Sequence, residues 1–284
     1  MDNISSSGGA TRRISEGEIR TFHKDGVVCL RGVLDQSWIE YMRKAVEVAM
    51  QFPGPHAEEY ELNDDKTCST TKGRFFGDID IARRHRAFCP RITHRRHCWC
   101  FDGSNKINFF YDHLLVKEPG TYAKTPWHQD QPYWAVSGQQ VCTTWIPFDH
   151  VESHVSVEFV RGSHRWAAFS PYHFATGKQY RSTGLPPLPD IESQRCSHDI
   201  VAFETRPGDC LVFHAMILHS APGNQSSQRR RALAIRWTGD DARYCIRQGE
   251  LAIPTRDPGL QHGDKMDCDD FPIVWRQRAE AERN

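Results

Sequence analysis

The residues with the clearest chemical potential are His128 and Asp130, in the aromatic-rich stretch Pro126-Trp127-His128-Gln129-Asp130-Gln131-Pro132-Tyr133-Trp134, together with a histidine far along the chain. In a strand, residues two apart share a face, so this imidazole and carboxylate project together while Gln129 points the other way. The later segment from Cys210 to His219 carries two histidines, His214 and His219. A regular strand puts them on opposite faces, so only one can join the first pair, and spacing does not choose between them. Two imidazoles and one carboxylate leave open positions on one face of Fe(II), the ligand set of non-haem iron oxygenases. The pattern points to redox chemistry on a small molecule. Alone, an HxD pair is better explained by hydrogen-bonded interior side chains. Its aromatic setting, between strand candidates and with a second His-bearing strand downstream, favours the metal.

Other residues carry weaker signals. Arg229-Arg230-Arg231 precedes the apolar run Ala232-Leu233-Ala234-Ile235. A solvated basic turn is the ordinary reading, but within a strand Arg230 faces opposite to its neighbours. An inward arginine is costly without an anion, and a dicarboxylate co-substrate matches its bidentate geometry. Arg236 would hold a substrate anion if near the site and mean little as a surface ion pair. Tyr133, Trp134, Phe213 and Trp237 are candidates either for an apolar cavity or for ordinary core. The cluster His94-Arg95-Arg96-His97-Cys98-Trp99-Cys100 holds potential zinc ligands, but they crowd together with no partner cluster, unlike the separated pairs of structural zinc sites. A helix with a mixed face is expected there. A Walker A loop, a GxGxxG turn and a GxSxG elbow are all absent, which removes the common nucleotide and acyl-transfer readings.

The elements that must position these residues follow from periodicity and caps. Residues 1–14 read as a small polar, disordered tail, and residues 15–284 as a single domain. Ser15 with Glu18 forms a capping box for a short helix to Lys24. Gly26 to Gly32 reads as a strand. Asp35 caps a helix in which Trp38, Met42, Ala45, Val46 and Ala49 recur at helical spacing. Residues 51–78 read mostly as loop, followed by a helical stretch to about Trp99. The period then changes. Strands are expected at 107–116, 141–148, 155–160, 200–203, 210–217 and 232–238, separated by turns such as Pro207-Gly208-Asp209. Helices lead and strands follow, so the class is mainly β with flanking helices (α+β), a sandwich or jelly roll with its core at about 107–240. Residues 167–199 form a long irregular insert, a candidate lid. The tail after Gly249 reads as loop.

Composition narrows the function classes. Thirty-six basic and 36 acidic side chains balance, which argues against nucleic acid or an anionic membrane as partner. The ten cysteines are scattered and form no CxxC pair, so reduced thiols and a cytoplasmic location are expected. The N-terminus has no targeting core, and no apolar run approaches the roughly 18 residues of a membrane helix.

Several motifs in order give a family resemblance. They are Trp127-His128-Gln129-Asp130, Trp145-Ile146-Pro147-Phe148-Asp149, Gly162-Ser163-His164-Arg165, Pro207-Gly208-Asp209, Leu218-His219-Ser220-Ala221-Pro222-Gly223-Asn224 and Arg230-Arg231-Ala232-Leu233. With Phe22-His23-Lys24-Asp25-Gly26-Val27-Val28 near the start, the chain resembles phytanoyl-CoA dioxygenase-like proteins from about residue 15 to about 245. The resemblance implies a double-stranded β-helix (jelly-roll, cupin-like) core and dependence on Fe(II), 2-oxoglutarate and O2. It implies His128, Asp130 and His219 as metal ligands, preferring His219 to His214, and Arg230 as the clamp on the distal carboxylate of 2-oxoglutarate. His113, Thr125 and Trp145 are implied as further co-substrate contacts. The expected activity is oxidation of a small molecule, by preference hydroxylation and by preference in secondary metabolism, with release of succinate and CO2. Halogenases of this type lack the carboxylate that Asp130 supplies. Rival readings are a cupin-like metalloenzyme independent of 2-oxoglutarate, a non-enzymatic ligand- or metal-binding jelly roll, and a nucleic-acid demethylase. One departure from the family pattern is Glu152-Ser153-His154-Val155, where relatives often carry Asn-Gly, near the expected mouth of the site. The acyl-CoA substrate of the founding enzymes is not transferred, and the end, Glu282-Arg283-Asn284, is no peroxisomal signal.

Overall fold

Two capped helices open the fold. The computed structural model describes residues 12–60, 73–79, 81, 103–174, 178–179, 183–247 and 257–277. Helix α1 (Glu16–Asp25) starts at Ser15, whose hydroxyl accepts from Glu18 N while the Glu18 carboxylate accepts from Ser15 N. It ends at Gly26, whose φ of 80° suits a residue without Cβ. Strand β1 (Val27–Leu30) follows. Helix α2 (Gln36–Gln51) is capped by Asp35, which accepts from Ser37 N and Trp38 N. Trp38, Ile39, Met42, Val46 and Ala49 form its buried stripe. The remaining strands are β2 (Glu58–Glu59), β3 (Phe75–Ile79), β4 (Lys106–Lys117), β5 (Thr125–His128), β6 (Val136–Ser137), β7 (Val141–Pro147), β8 (Glu158–Val160), β9 (Ile200–Ala202), β10 (Cys210–His214), β11 (His219–Ala221), β12 (Arg230–Thr238), β13 (Arg243–Tyr244) and β14 (Ile273–Arg276).

The larger sheet runs β1-β10-β7-β12-β4-β3-β2, with β14 also paired to β4, and the smaller runs β5-β11-β8-β9. All these pairs are antiparallel. The two helices pack on one face of the larger sheet. Leu233, Ile235 and Trp237 of β12 join Trp38, Ile39 and Met42 in that layer, each such side chain contributing roughly 1.5–3 kcal/mol. On the other face, Trp145, Leu211, Phe213, Ala232 and Ala234 meet Phe159 from the smaller sheet and Val157 just before its strand β8. This is the jelly-roll core with flanking helices.

Several boundaries differ from the sequence reading. Phe75–Ile79 and Ile273–Arg276 are strands in segments expected to be loop; both pair with β4, and neither has a long alternating pattern of its own. Ser153–Val155 is a 3-10 turn, so the strand there starts only at Glu158. The strand expected over 210–217 stops at His214, and a turn at 215–217 precedes β11. The helix expected before Trp99 lies outside the described residues apart from Ile81, and the His94–Cys100 cluster lies wholly outside them. Six of the cysteines are described, and of these Cys29, Cys196, Cys245 and Cys268 are free. No helix among the described residues is long and apolar enough to cross a membrane.

Candidate metal and co-substrate site

Strands β5 and β11 are neighbours, and His128 is the register partner of His219. That pairing sets the two rings 4.2 Å apart, centroid to centroid. Asp130 arrives differently from the strand alternation expected for it. Strand β5 ends at His128, and Asp130 takes helical backbone angles (φ −69°, ψ −49°) at the head of a 3-10 turn over Gln131–Tyr133. The turn swings the carboxylate back, and Asp130 Oδ1 lies 3.4 Å from His128 Nε2 and 3.8 Å from His219 Nε2. The three side chains are buried, and one ligand atom from each lies within 4.8 Å of the others. Among the described residues this is the one group of three such side chains able to hold a metal ion.

The surrounding hydrogen bonds prepare the donor atoms. His128 Nδ1 pairs with Pro126 O at 2.8 Å and His219 Nδ1 with Ile217 O at 3.1 Å. A carbonyl can only accept, so Nδ1 carries the proton in each ring and Nε2 keeps its lone pair toward Asp130. Asp130 Oδ2 accepts from Thr143 Oγ1 at 3.2 Å. Burial would raise the Asp130 pKa, but the charges around it, that of Arg236 among them, hold it well below the usual carboxylate range. Burial, aided by His128, pushes His219 down to about 4 against the pull of Asp130. An ionised carboxylate beside unprotonated imidazole nitrogens is the donor set that Fe(II) requires.

His214 is elsewhere. It ends β10, accepts from Met216 N through Nδ1 at 3.0 Å, and lies beside His164, ring centroids 5.5 Å apart. The break in the strand after His214 lets β11 start afresh on the smaller sheet.

The triad borders a cavity of about 730 Å³ between the two sheets. His113, Thr125, Trp145 and Arg230 all line it, as do Tyr133, Trp134 and Phe213. Trp237 does not. It faces the helices, with Nε1 bonded to Thr144 Oγ1 at 2.9 Å, because alternation turns it away from Arg236. Arg230 is buried, and burial pushes its pKa down to about 10. Its guanidinium donates to the Val155 carbonyl, and Nη2 reaches Pro222 O at 3.5 Å. The Glu152–Val155 departure from the family pattern therefore lies against this arginine. His113 Nε2 lies 3.2 Å from Tyr60 Oη, and burial, with Arg236 nearby, pushes its pKa down to about 3.

Lys117, Tyr60 and Phe174 also line the cavity and were missed from sequence. Lys117 was legible in principle: it is four residues from His113 in one strand and shares its face. It is the register partner of Arg230 and donates to Ala123 O at 2.7 Å and Pro222 O at 3.0 Å. Burial, then Arg230, holds its pKa well below the lysine range. Phe174 belongs to the 167–199 insert and stands 4.8 Å from the His128 ring; an irregular segment carries no periodicity that would announce it. The insert is tied down elsewhere, since Trp127 Nε1 donates to Glu192 and Tyr172 Oη to Trp127 O.

A family model described as phytanoyl-CoA dioxygenase (PhyH) matches residues 22–232. The multifunctional dioxygenase prhA of Penicillium brasilianum is 24% identical over 229 residues, covering 75% of this chain and 69% of that protein. Among solved structures, the non-haem α-ketoglutarate-dependent carbocyclase SnoK from nogalamycin biosynthesis superposes with a TM-score of 0.71 at 21% identity, covering 95% of this chain and 100% of SnoK. The epimerase SnoN, solved with Fe3+, α-ketoglutarate and nogalamycin RO, gives 0.68 at 22% identity, covering 92% and 98%. At these identities the structural likeness establishes the fold.

Proposed function

The chain belongs to the phytanoyl-CoA dioxygenase family, whose members use Fe(II), 2-oxoglutarate and O2, and from that premise we propose that it oxidises a small molecule of secondary metabolism, by hydroxylation. The observation that carries this reading is the convergence of His128 Nε2 and His219 Nε2 on Asp130 Oδ1 beside a cavity that also contains a buried arginine, Arg230, with no acid among the described residues to pair with. Fe(II) held by His128, Asp130 and His219 would supply, with 2-oxoglutarate as reductant and O2 as oxidant, the means to remove hydrogen from an unactivated carbon, with succinate and CO2 released.

The protein's part is position, charge and dryness. Pro126 O and Ile217 O hold the imidazoles in the tautomer that ligates, and Thr143 fixes Asp130. Arg230 takes the distal carboxylate of 2-oxoglutarate by a bidentate contact. Thr125, Trp145 and His113 wall the co-substrate, and the desolvated His113 stays neutral there. Burial excludes water and strengthens these contacts. Asp130 occupies the position that a halide would need, which supports oxygen transfer over halogenation. Residues 15–284 act as one catalytic domain, and the 167–199 insert, with Phe174 beside His128, acts as its lid. Secondary metabolism is supported by the nogalamycin-pathway neighbours. Cyclisation and epimerisation, the reactions in those neighbours' names, start from the same hydrogen removal, and product analysis separates them from hydroxylation.

Anaerobic titration of the Fe(II)-loaded protein with 2-oxoglutarate tests the reading. The expected result is a saturable visible charge-transfer band, followed on screening by substrate-dependent succinate release. Iron demonstrably bound with no such band would turn the assignment to a metal protein that does not use 2-oxoglutarate.

A further inference from the structure

Six residues beyond Arg230, on the same face of β12, a second guanidinium enters the cavity. Arg236 is buried, 7% exposed, and lines the same space. A strand rises about 3.3 Å per residue, so the two arginines stand roughly 20 Å apart along it, with only the methyl groups of Ala232 and Ala234 facing the cavity between them. The two ends are distinct. Arg236 is the register partner of Thr143, whose hydroxyl donates to Asp130 Oδ2, whereas Arg230 is the register partner of Lys117. Arg236 therefore borders the metal ligands, and Arg230 the co-substrate end.

Aromatic faces hold the Arg236 guanidinium. Its Cζ lies 4.7 Å from the Tyr111 ring centroid and 5.8 Å from that of Trp134. Its hydrogen bond runs from Nη1 to Ala234 O at 3.0 Å, and Nε is buried with no acceptor. No carboxylate among the described residues lies within ion-pair distance of it. Asp130 is committed elsewhere: Oδ1 faces the two imidazoles and Oδ2 accepts from Thr143.

A guanidinium cannot shed its proton, and burying one without an anion is costly. The bound cofactors do not provide that anion. The charges of Fe(II) and Arg230 cancel those of Asp130 and the two carboxylates of 2-oxoglutarate, which leaves Arg236 uncompensated. We propose that Arg236 is a substrate-binding residue that takes a carboxylate of the substrate, so that the enzyme acts on an organic acid anchored beside the metal. This rests on the Fe(II)/2-oxoglutarate reading of the same cavity. The guanidinium lines the cavity beside Tyr111 and Trp134 with N–H groups that no carboxylate among the described residues takes, and such a donor edge suits a planar carboxylate. A neutral ester or amide of the same substrate leaves that edge unpaired and binds more weakly.

The test uses the Fe(II)- and 2-oxoglutarate-loaded protein under anaerobic conditions. Benzoate, 2-naphthoate and cholate, each beside its methyl ester, are titrated by calorimetry into wild type, Arg236→Gln and Arg236→Met while the charge-transfer band is followed. At least one carboxylate is expected to bind wild type tenfold or more tightly than its ester. That preference should fall to within twofold in whichever variants retain the 2-oxoglutarate band, with affinity for 2-oxoglutarate unchanged within twofold. Equal binding of every acid and ester, a preference that survives both substitutions, or loss of the band as the probe binds would each overturn the proposal. Absence of the band in wild type, before any probe is added, would instead remove the cofactor reading beneath it.

Discussion

Three consecutive arginines meet two opposite environments. Arg229 pairs with Glu47 and Glu118, each at 2.7 Å, and Arg231 pairs with Glu47 at 2.8 Å and Asp149 at 2.7 Å. Arg230, between them, is buried and donates to the carbonyls of Val155 and Pro222. One residue step along β12 moves the side chain from the helix-covered face, where Arg231 has an acid, to the cavity, where neither Arg230 nor Arg236 has one among the described residues. The first arrangement is complete as it stands and serves the fold. The second leaves a buried charge with no acid among the described residues, an arrangement that is costly without an anion.

The largest effect is expected at Asp130, since the other acid lining the cavity, Glu59, is already paired with Arg74. Asp130→Asn should weaken Fe(II) binding more than a hundredfold and remove turnover, as read from competition with a chelator. Wild-type iron affinity in that variant would take Asp130 out of the ligand set. Next comes Arg230→Gln, which should raise the 2-oxoglutarate dissociation constant by on the order of a hundredfold, consistent with stranding a desolvated charge, while iron binding persists. An unchanged requirement would shift the clamp to Arg229 or Arg231 and erase the contrast.

A third experiment concerns a buried group kept neutral instead of matched by counter-charge. Burial, aided by His164, pushes the His214 pKa down to about 4, against roughly 6.5 when unfolded. The folded value is the depressed one, so the stability is fully present above pH 6.5 and is lost as pH falls toward 4. By pH 4.5 the loss from this residue should reach about 2–3 kcal/mol. Urea unfolding at pH 7 and pH 4.5 should show that increment in wild type and lack it in His214→Asn; equal pH dependence in both would refute it. The smallest effect is expected on the outer face. Arg229→Ala breaks partly exposed ion pairs and should cost less than about 1 kcal/mol, with the 2-oxoglutarate titration unchanged.

Much of the site was legible because its cues are local. The alternation of β12 puts Arg230 opposite Arg229 and Arg231 whatever the rest of the chain does, and His113, Thr125 and Trp145, which the family resemblance singled out as co-substrate contacts, line the cavity. The capping box at Ser15 and the Asp35 cap were equally readable, since each cap bonds to backbone within three residues. Asp130 instructs in the other direction. The carboxylate was expected beside His128, yet a 3-10 turn delivers it and not strand alternation, because Pro132 in that turn suits a tight helical bend and not a continuing ladder. The residues alone left Trp237 open between cavity and ordinary core, and its parity on the strand sends it to the helix layer.

What the sequence determined by itself is therefore what depends on neighbours in the chain: helix starts, strand faces, the residue types able to bind iron, and an arginine forced inward. What only the tertiary structure decided is what depends on pairing across the fold. The residues alone left His214 and His219 open, and the register of β11 on β5, with the break after His214, sets His219 against His128. The strand at Phe75–Ile79, the approach of Phe174 to His128, and the placing of Lys117 beside Arg230 and of Arg236 beside the metal ligands are of the same kind. Such contacts join segments tens to more than a hundred residues apart, and their geometry comes from sheet registry and the packing of two layers, which no local pattern encodes.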